Sequence, residues 1–413
     1  MCTSSKISPK KKHRIADIFK LYLAEYVKSP NKKLYLTGNH WKAINKIRTC
    51  RTSRIGVTVF ECDGCGKTHY MYRSCKHRFC GSCGVESTYA WGRERLSGLL
   101  KMKHHHVVMT LPSPLRHLSK LNVDLLHDLL FKSSSEVLKS WFVHKHNMLP
   151  GLVSVLHTAG SDLKYHPHVH IILSGGGKDL SSGEYGELAG DYLCAQRFLG
   201  KQLRIKFEQG LRSLYKKGDL IVPDRIKDLS DLNSYLLGIG KKHWIVSVQK
   251  PLSDLGQIVG YVGRYTKRCC LSEYKIESIS NGTISFWAND YKNSKRGEKA
   301  NQVLVILDSV EFLDRLLQHV PSKRYRMVRY YGLYSSYHLK RIPSEYRGEP
   351  LEDPSYLGEE FEGEDWGDYD SYRKRQIKLG KGDPLFCNNC QQDLVAVRLY
   401  YDYQNPISYY DDS

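Results

Sequence analysis

The stretch YHPHVHIILSGG, Tyr165 to Gly176, sets three histidines at alternate positions and then runs into an apolar segment that ends in glycines. In an extended chain, residues two apart project from one face, so His168 and His170 share a face while Val169, Ile171 and Leu173 share the other. Two neighbouring imidazoles backed by an apolar face make a clamp for a metal ion. Two half-buried histidines on a strand are the plainer alternative, since HxH is short and common. Pro167 has no N–H for a ladder, which predicts that the strand begins there or runs at an edge, with His166 pointing elsewhere. Gly175, Gly176 and Gly177 predict its end.

Outward from this strand, HHHVVMTLP (His104 to Pro112) has the β-branched character of another strand closed by proline. HWIVSV (His243 to Val248) reads as a third, and 274–279 with 283–288 as a hairpin about Asn281 and Gly282. Apolar residues on helical spacing predict helices over 10–28, 40–49, 84–102, 118–142, 192–215, 225–237, 257–267 and 310–319. Strands separated by long helices in this unequal order predict an α+β fold with a central, largely antiparallel sheet flanked by helices. Three segments follow: 1–100, helical and zinc-binding; 101–340, the domain of the histidine strand; 341–413, an acidic linker and tail.

The zinc expectation rests on Cys50, Cys62, Cys65, Cys75, Cys80 and Cys83. Two CxxC pairs, Cys62 with Cys65 and Cys80 with Cys83, are separated by fourteen residues. Each pair is a knuckle presenting two thiolates, and the loop between lets them converge on one tetrahedral zinc. Cys50 and Cys75, with His69 and His77 nearby, either form a second site or replace one of those ligands, so one or two structural zinc ions are expected. The late pair Cys387 and Cys390 is half a site that needs a partner pair from elsewhere or from another chain.

The formal charge is +20, from 63 Lys and Arg against 43 Asp and Glu. Eleven acidic residues and one arginine lie between Glu345 and Asp370, net −10, which leaves +30 on the remainder. Such a body suits a polyanion such as nucleic acid better than an acidic metabolite. Without a bilayer-length apolar run or a secretion signal, the chain reads as cytoplasmic or nucleoid-associated, with no membrane partner.

YVGRYTKR, Tyr261 to Arg268, sets two tyrosines four apart on one helical face. With YHPHVHIILSGGG before it and FLDRLLQHVPSKRYRMVRYYGL after it, this closely resembles the two-tyrosine rolling-circle transposases of bacterial insertion sequences, members of the HUH endonuclease superfamily. CRTSRIGVTVFECDGCGKTHYMYRSCKHRFCGSC resembles that family's N-terminal zinc-binding domain. The resemblance covers about residues 10 to 340. It implies the HUH fold, with Tyr261 and Tyr265 as nucleophiles, and His168 and His170 binding a divalent cation, magnesium or manganese. His157 matches a family histidine, and either it or His166 is the simplest third ligand, with Gln257 an outside candidate.

The resemblance also implies single-stranded DNA at transposon ends as the partner, and it admits self-association and host replication or helicase factors. Arg264, Lys267 and Arg268 beside the tyrosines, and Arg326, Arg329, Tyr330 and Tyr331 in the later basic segment, suit phosphates and bases of an unpaired strand. Phe79 stands where the family carries a histidine, so His77 is expected to take that role, or the protein to hold one fewer zinc. The rival reading is a zinc-dependent DNA-binding protein without chemistry, an inactive transposase relic. A metal hydrolase of small substrates explains neither the charge nor the cysteines.

Overall fold

The computed structural model describes residues 13–83, 98–240, 244–251, 269–290, 293, 300–348, 386, 387, 389, 390, 392 and 394–400. The fold is mixed α+β about a six-stranded sheet whose described pairings are all antiparallel. The N-terminal part supplies helices α1 (Ile15–Lys28) and α2 (Gly38–Arg48) and strands β1 (Val57–Glu61) and β2 (Thr68–Tyr72). Strand β3 (His104–Thr110) follows, then helices α3 (Arg116–Leu121) and α4 (Val123–His146). Next come β4 (Met148–Ala159), β5 (Tyr165–Asp179), β6 (Tyr185–Glu187), α5 (Gln196–Lys216), α6 (Leu229–Gly240) and β7 (Val246–Val248).

A second sheet is built from β8 (Ile276–Ser280), β9 (Thr283–Asp290) and β10 (Asn301–Asp308), and helix α7 (Ser309–Leu317) follows it. Strand β11 (Val328–Gly332), the short helix α8 (Ser336–Leu339) and strand β12 (Val395–Tyr400) complete the chain. The central order is β11-β4-β5-β3-β7, with β6 on the far part of β5. The histidine strand therefore lies in the middle of the sheet.

Alternation along these strands sorts the two faces. Val169, Ile171 and Leu173 of β5 join Val107 and Met109 of β3 and Leu152 and Leu156 of β4 in one buried core. Helix α5 covers it with Leu199, Leu203, Phe207 and Leu211, an unbroken four-residue spacing that gives one apolar stripe. The expected helix over 118–142 is two helices. Asn122 separates them: its Nδ2 donates to the carbonyls of Leu118 and Ile221, and its Oδ1 accepts from the Ile221 amide. A side chain that competes for backbone groups in this way interrupts a helix.

Two expectations about β5 are corrected. Pro167 lies inside a central strand, neither at its start nor at an edge. The ladder tolerates it because the β4–β5 register slips between His157 and Ala159, opposite the proline, while the Pro167 carbonyl still accepts from the Leu111 amide on the other side. The glycines do not end the strand, which runs on to Asp179. A Cβ on Gly177 would sit 2.2 Å from the Leu149 carbonyl oxygen, so glycine permits the close approach of β4. Strands β1, β2, β4, β6, β10, β11 and β12 have no counterpart among the strands expected from the sequence; Pro150 and Gly151 punctuate β4 in the sequence, yet the structure places both within it.

A second core joins Ile15, Ile18 and Phe19 of α1 and Ile44 and Ile47 of α2 to Ile284 and Phe286 of β9 and Phe312, Leu313 and Leu316 of α7. The β8–β9 hairpin turns at Asn281 and Gly282, both with positive φ, as a two-residue turn requires. The expected segments 1–100, 101–340 and 341–413 are thus crossed twice: by this core, and by β12, which pairs with β1 in the small sheet β12-β1-β2. Residues 84–97 and 257–267, where helices were expected, lie outside the described residues. Among the described residues, no helix is long and apolar enough to cross a membrane.

Candidate active site

On the face of the central sheet opposite the main core, β4 presents His157 and β5 presents His168 and His170. His157 and His168 are direct cross-strand partners. One ring nitrogen from each of the three lies within 4.8 Å of the others, and the ring centroids of His157 and His170 are 4.1 Å apart. Burial, followed by the neighbouring imidazoles, holds His157 and His170 well below the usual histidine range. Burial likewise lowers His168 to about 4. All three are therefore neutral at physiological pH, the form that can donate a lone pair to a cation.

The hydrogen bonds fix which nitrogen is available. His168 Nδ1 lies 2.6 Å from the His166 carbonyl oxygen, so it carries the proton and leaves Nε2 as the donor atom. His170 Nδ1 lies 2.8 Å from His106 Nε2, and His106 Nδ1 lies 3.0 Å from Gln249 Oε1. Because Oε1 accepts, His106 is protonated on Nδ1, and its Nε2 accepts from His170 Nδ1. Metal-binding histidines characteristically have their second nitrogen held by such a partner. Three neutral imidazoles, two of them with assigned tautomers, fit a divalent cation of the manganese or zinc kind, with oxygen ligands to complete the shell.

His166 does not join the cluster: its Nδ1 accepts from the Arg116 guanidinium at 2.8 Å. His106 and Gln249 were missed by sequence reasoning. The alternation HHHVVMT could have pointed to His106, since it shares a strand face with the motif once β3 is paired with β5. Gln249 is held to β3 through its backbone as well, its amide donating to the His106 carbonyl at 3.0 Å. Tyr261, Tyr265, Gln257, Arg264, Lys267 and Arg268 lie outside the described residues.

The later basic segment divides. Lys323, Arg324 and Arg326 are exposed. Arg329 is committed inward, paired with Asp128 and stacked 4.4 Å from the Phe131 ring centre. Tyr330 and Tyr331 are half-buried on opposite faces of β11, Tyr331 packing on the main core and Tyr330 on a smaller one with Tyr334. Arg78 of the cysteine module donates to the carbonyls of Tyr325 and Ser322, so it fastens that module to this segment.

The six N-terminal cysteines do not pair as their spacing predicted. Cys50, Cys75, Cys80 and Cys83 converge in one group, and Cys62 and Cys65 join Cys387 and Cys390 in another. In the first, Cys83 Sγ lies 3.4 Å from Cys50 Sγ and 3.6 Å from Cys75 Sγ. Hydrogen bonds from these neighbours, Cys50 foremost, push Cys83 well below the usual thiol range. His77 is not among the ligands, because its ring accepts from the Phe79 amide. Phe79 itself is buried in the second core, which explains an apolar residue at that position. The hairpin β1–β2 is the reason for the altered pairing: it carries Cys62 and Cys65 at its turn and returns Cys75 to Cys50 at its base.

The molecule thus carries clustered cysteines and a histidine group that could each hold a metal ion, and comparison with known proteins shows what it resembles. A family model described as "Transposase zinc-binding domain" matches residues 18–111, and one described as "Putative transposase" matches residues 151–341. A "Putative transposase y4qJ" of Sinorhizobium fredii (strain NBRC 101917 / NGR234) is 29% identical over 323 residues, covering 77% of this chain and 79% of that protein. The transposase for insertion sequence element IS801 of Pseudomonas savastanoi pv. phaseolicola is 28% identical over 331 residues, covering 74% and 76%. No solved structure matches. The chain is thus similar over most of its length to transposases, one of them that of an insertion sequence.

Proposed function

We propose that the chain cleaves and rejoins single-stranded DNA at the ends of its mobile element, with Tyr261 and Tyr265 as nucleophiles and His157, His168 and His170 holding a divalent cation, magnesium or manganese. The convergence of three neutral imidazoles at the centre of the sheet carries this reading. A cation held there would supply positive charge to the non-bridging oxygens of the scissile phosphate. Burial keeps the imidazoles neutral, and the His106 and Gln249 chain orients one of them.

A tyrosine hydroxyl titrates near pKa 10 and is a weak nucleophile until its proton leaves. Its oxygen bonds to phosphorus as the bond to the 3′ oxygen breaks, and a proton returns to that oxygen. The products are a 5′-phosphotyrosine and a 3′-hydroxyl. The phosphodiester energy is conserved, so the reverse attack joins strands without a nucleotide cofactor. Exposed Lys323, Arg324 and Arg326 are suited to the strand's phosphates.

The test is a denaturing gel of purified protein incubated with labelled single-stranded DNA from the flanks of its gene, with Mn²⁺ or with EDTA. A metal-dependent covalent adduct, abolished in the Tyr261→Phe, Tyr265→Phe double variant, is expected. Tight binding without adduct across several flanking sequences would favour the non-catalytic reading.

A further inference from the structure

The matched family spans end at residue 341, and Cys387 and Cys390 lie beyond them. We propose that Cys62, Cys65, Cys387 and Cys390 form a second zinc site, a tetrathiolate clasp that ties the C-terminal strand of this chain to its N-terminal hairpin. The inference is independent of the tyrosine chemistry.

Geometry supports it first. Cys62 Sγ lies 3.1 Å from Cys390 Sγ, and Cys65 Sγ lies 3.7 Å from Cys387 Sγ. A tetrahedral zinc with bonds of about 2.3 Å sets its sulfurs about 3.8 Å apart, whereas a disulfide needs about 2.05 Å. The four sulfurs all lie within 4.8 Å of one another.

The backbone around the two pairs repeats itself. The Cys62 amide donates to the carbonyl of Lys67, five residues on, at 3.1 Å. The Cys387 amide donates to the carbonyl of Gln392, also five residues on, at 2.8 Å. Each CxxC is therefore wound into the same closed turn, the knuckle that presents two thiolates to one point. In the first, Gly66 takes a positive φ and its amide closes on the Cys62 carbonyl at 2.7 Å.

Packing supplies the third argument. Strand β12 pairs with β1 from Val57↔Tyr400 to Glu61↔Val395, and among the described residues Phe60, Cys62, Cys387 and Leu394 pack together with Met71 and Cys390 beside them. One cysteine of each pair, Cys62 and Cys387, is buried in that cluster. A four-thiolate tetrahedral set selects zinc or iron, and the matched zinc-binding domain in the same module favours zinc.

The experiment counts metal on the full-length protein by mass spectrometry of the elements, read on the monomeric fraction. The Cys387→Ser, Cys390→Ser variant is expected to hold about one zinc ion per chain fewer than the wild type, while a Cys194→Ser control keeps the wild-type number. On the wild-type chain, alkylation of Cys387 and Cys390 is expected to be blocked until zinc is chelated, a readout that does not depend on a variant folding. A zinc count unchanged from wild type in the double variant, prompt labelling of both cysteines in zinc-loaded protein, iron in place of zinc at this site, or loss of the extra zinc from the monomeric fraction would each overturn the proposal.

Discussion

His106 Nε2 and His170 Nδ1 lie 2.8 Å apart, their rings within 4° of parallel, on adjacent strands of the central sheet. The contact decides whether His170 can bind a cation, because it dictates where the His170 proton sits. Inverting the Gln249 amide would reverse the chain of donors and place that proton on the metal-facing nitrogen. Gln249→Leu is therefore expected to weaken Mn²⁺ binding by about 10-fold to 100-fold. Gln249→Glu, which keeps an acceptor, should retain it. Calorimetric titration with Mn²⁺ measures both, and equal loss in the two variants would count against the relay.

Three buried histidines away from the metal cluster make stability depend on acidity. Burial lowers His104, His127 and His319 to about 4, and each holds a neutral-ring hydrogen bond: to Tyr334, to Tyr165, and to Thr158 with the Leu163 carbonyl. Below about pH 6.5 the unfolded chain protonates these rings while the folded chain does not. Their contribution is thus whole above that value and lost as pH falls toward 4. On the order of 1 kcal/mol per histidine should be gone by pH 5.5. Urea midpoints across this range measure it, and a His319→Gln variant should flatten the profile.

Arg78 reaches from the cysteine module to two carbonyls of the Ser322–Tyr325 turn. Arg78→Ala is expected to cost about 2 kcal/mol, the scale of charged hydrogen bonds to half-buried acceptors. Limited proteolysis should then cut near residues 322–326 sooner than in the parent.

Gly332, the glycine of RYYGL, has φ +57°, and a Cβ there would sit 1.9 Å from the Pro150 carbonyl oxygen. Both backbone conformation and space demand glycine. Gly332→Ala should destabilise the fold by at least about 2 kcal/mol. A denaturant curve unchanged from wild type would remove this explanation for the residue.

Much of the site was legible because strand alternation is local. The placing of His168 and His170 on one face and Val169 and Ile171 on the other needs only the two-residue period. The paired tyrosines and the order of the motifs carried the family resemblance, which the comparisons support. What alternation could not supply was pairing between strands. His157 lies in a strand hidden by Pro150 and Gly151, and His106 approaches His170 only because β3 lies beside β5. Spacing likewise suggested Cys62 and Cys65 with Cys80 and Cys83, whereas the hairpin turns the first pair away and the C-terminal strand brings its complement from 322 residues downstream. Arg329 looked like a free cation in the sequence. Its partner Asp128 sits on a helix about 200 residues earlier.

The separation of the two cysteine pairs has a consequence for how the molecule is made. Hairpin β1–β2 leaves the ribosome well before its third strand, β12. At about 5 to 20 residues per second, some 15 to 65 seconds pass between the emergence of Cys65 and that of Cys387. Throughout that interval β1 keeps a bare edge and two unclaimed thiols. The small sheet can therefore close only after the central sheet has been made, and a message broken ahead of β12 yields a protein whose β1–β2 module was never finished.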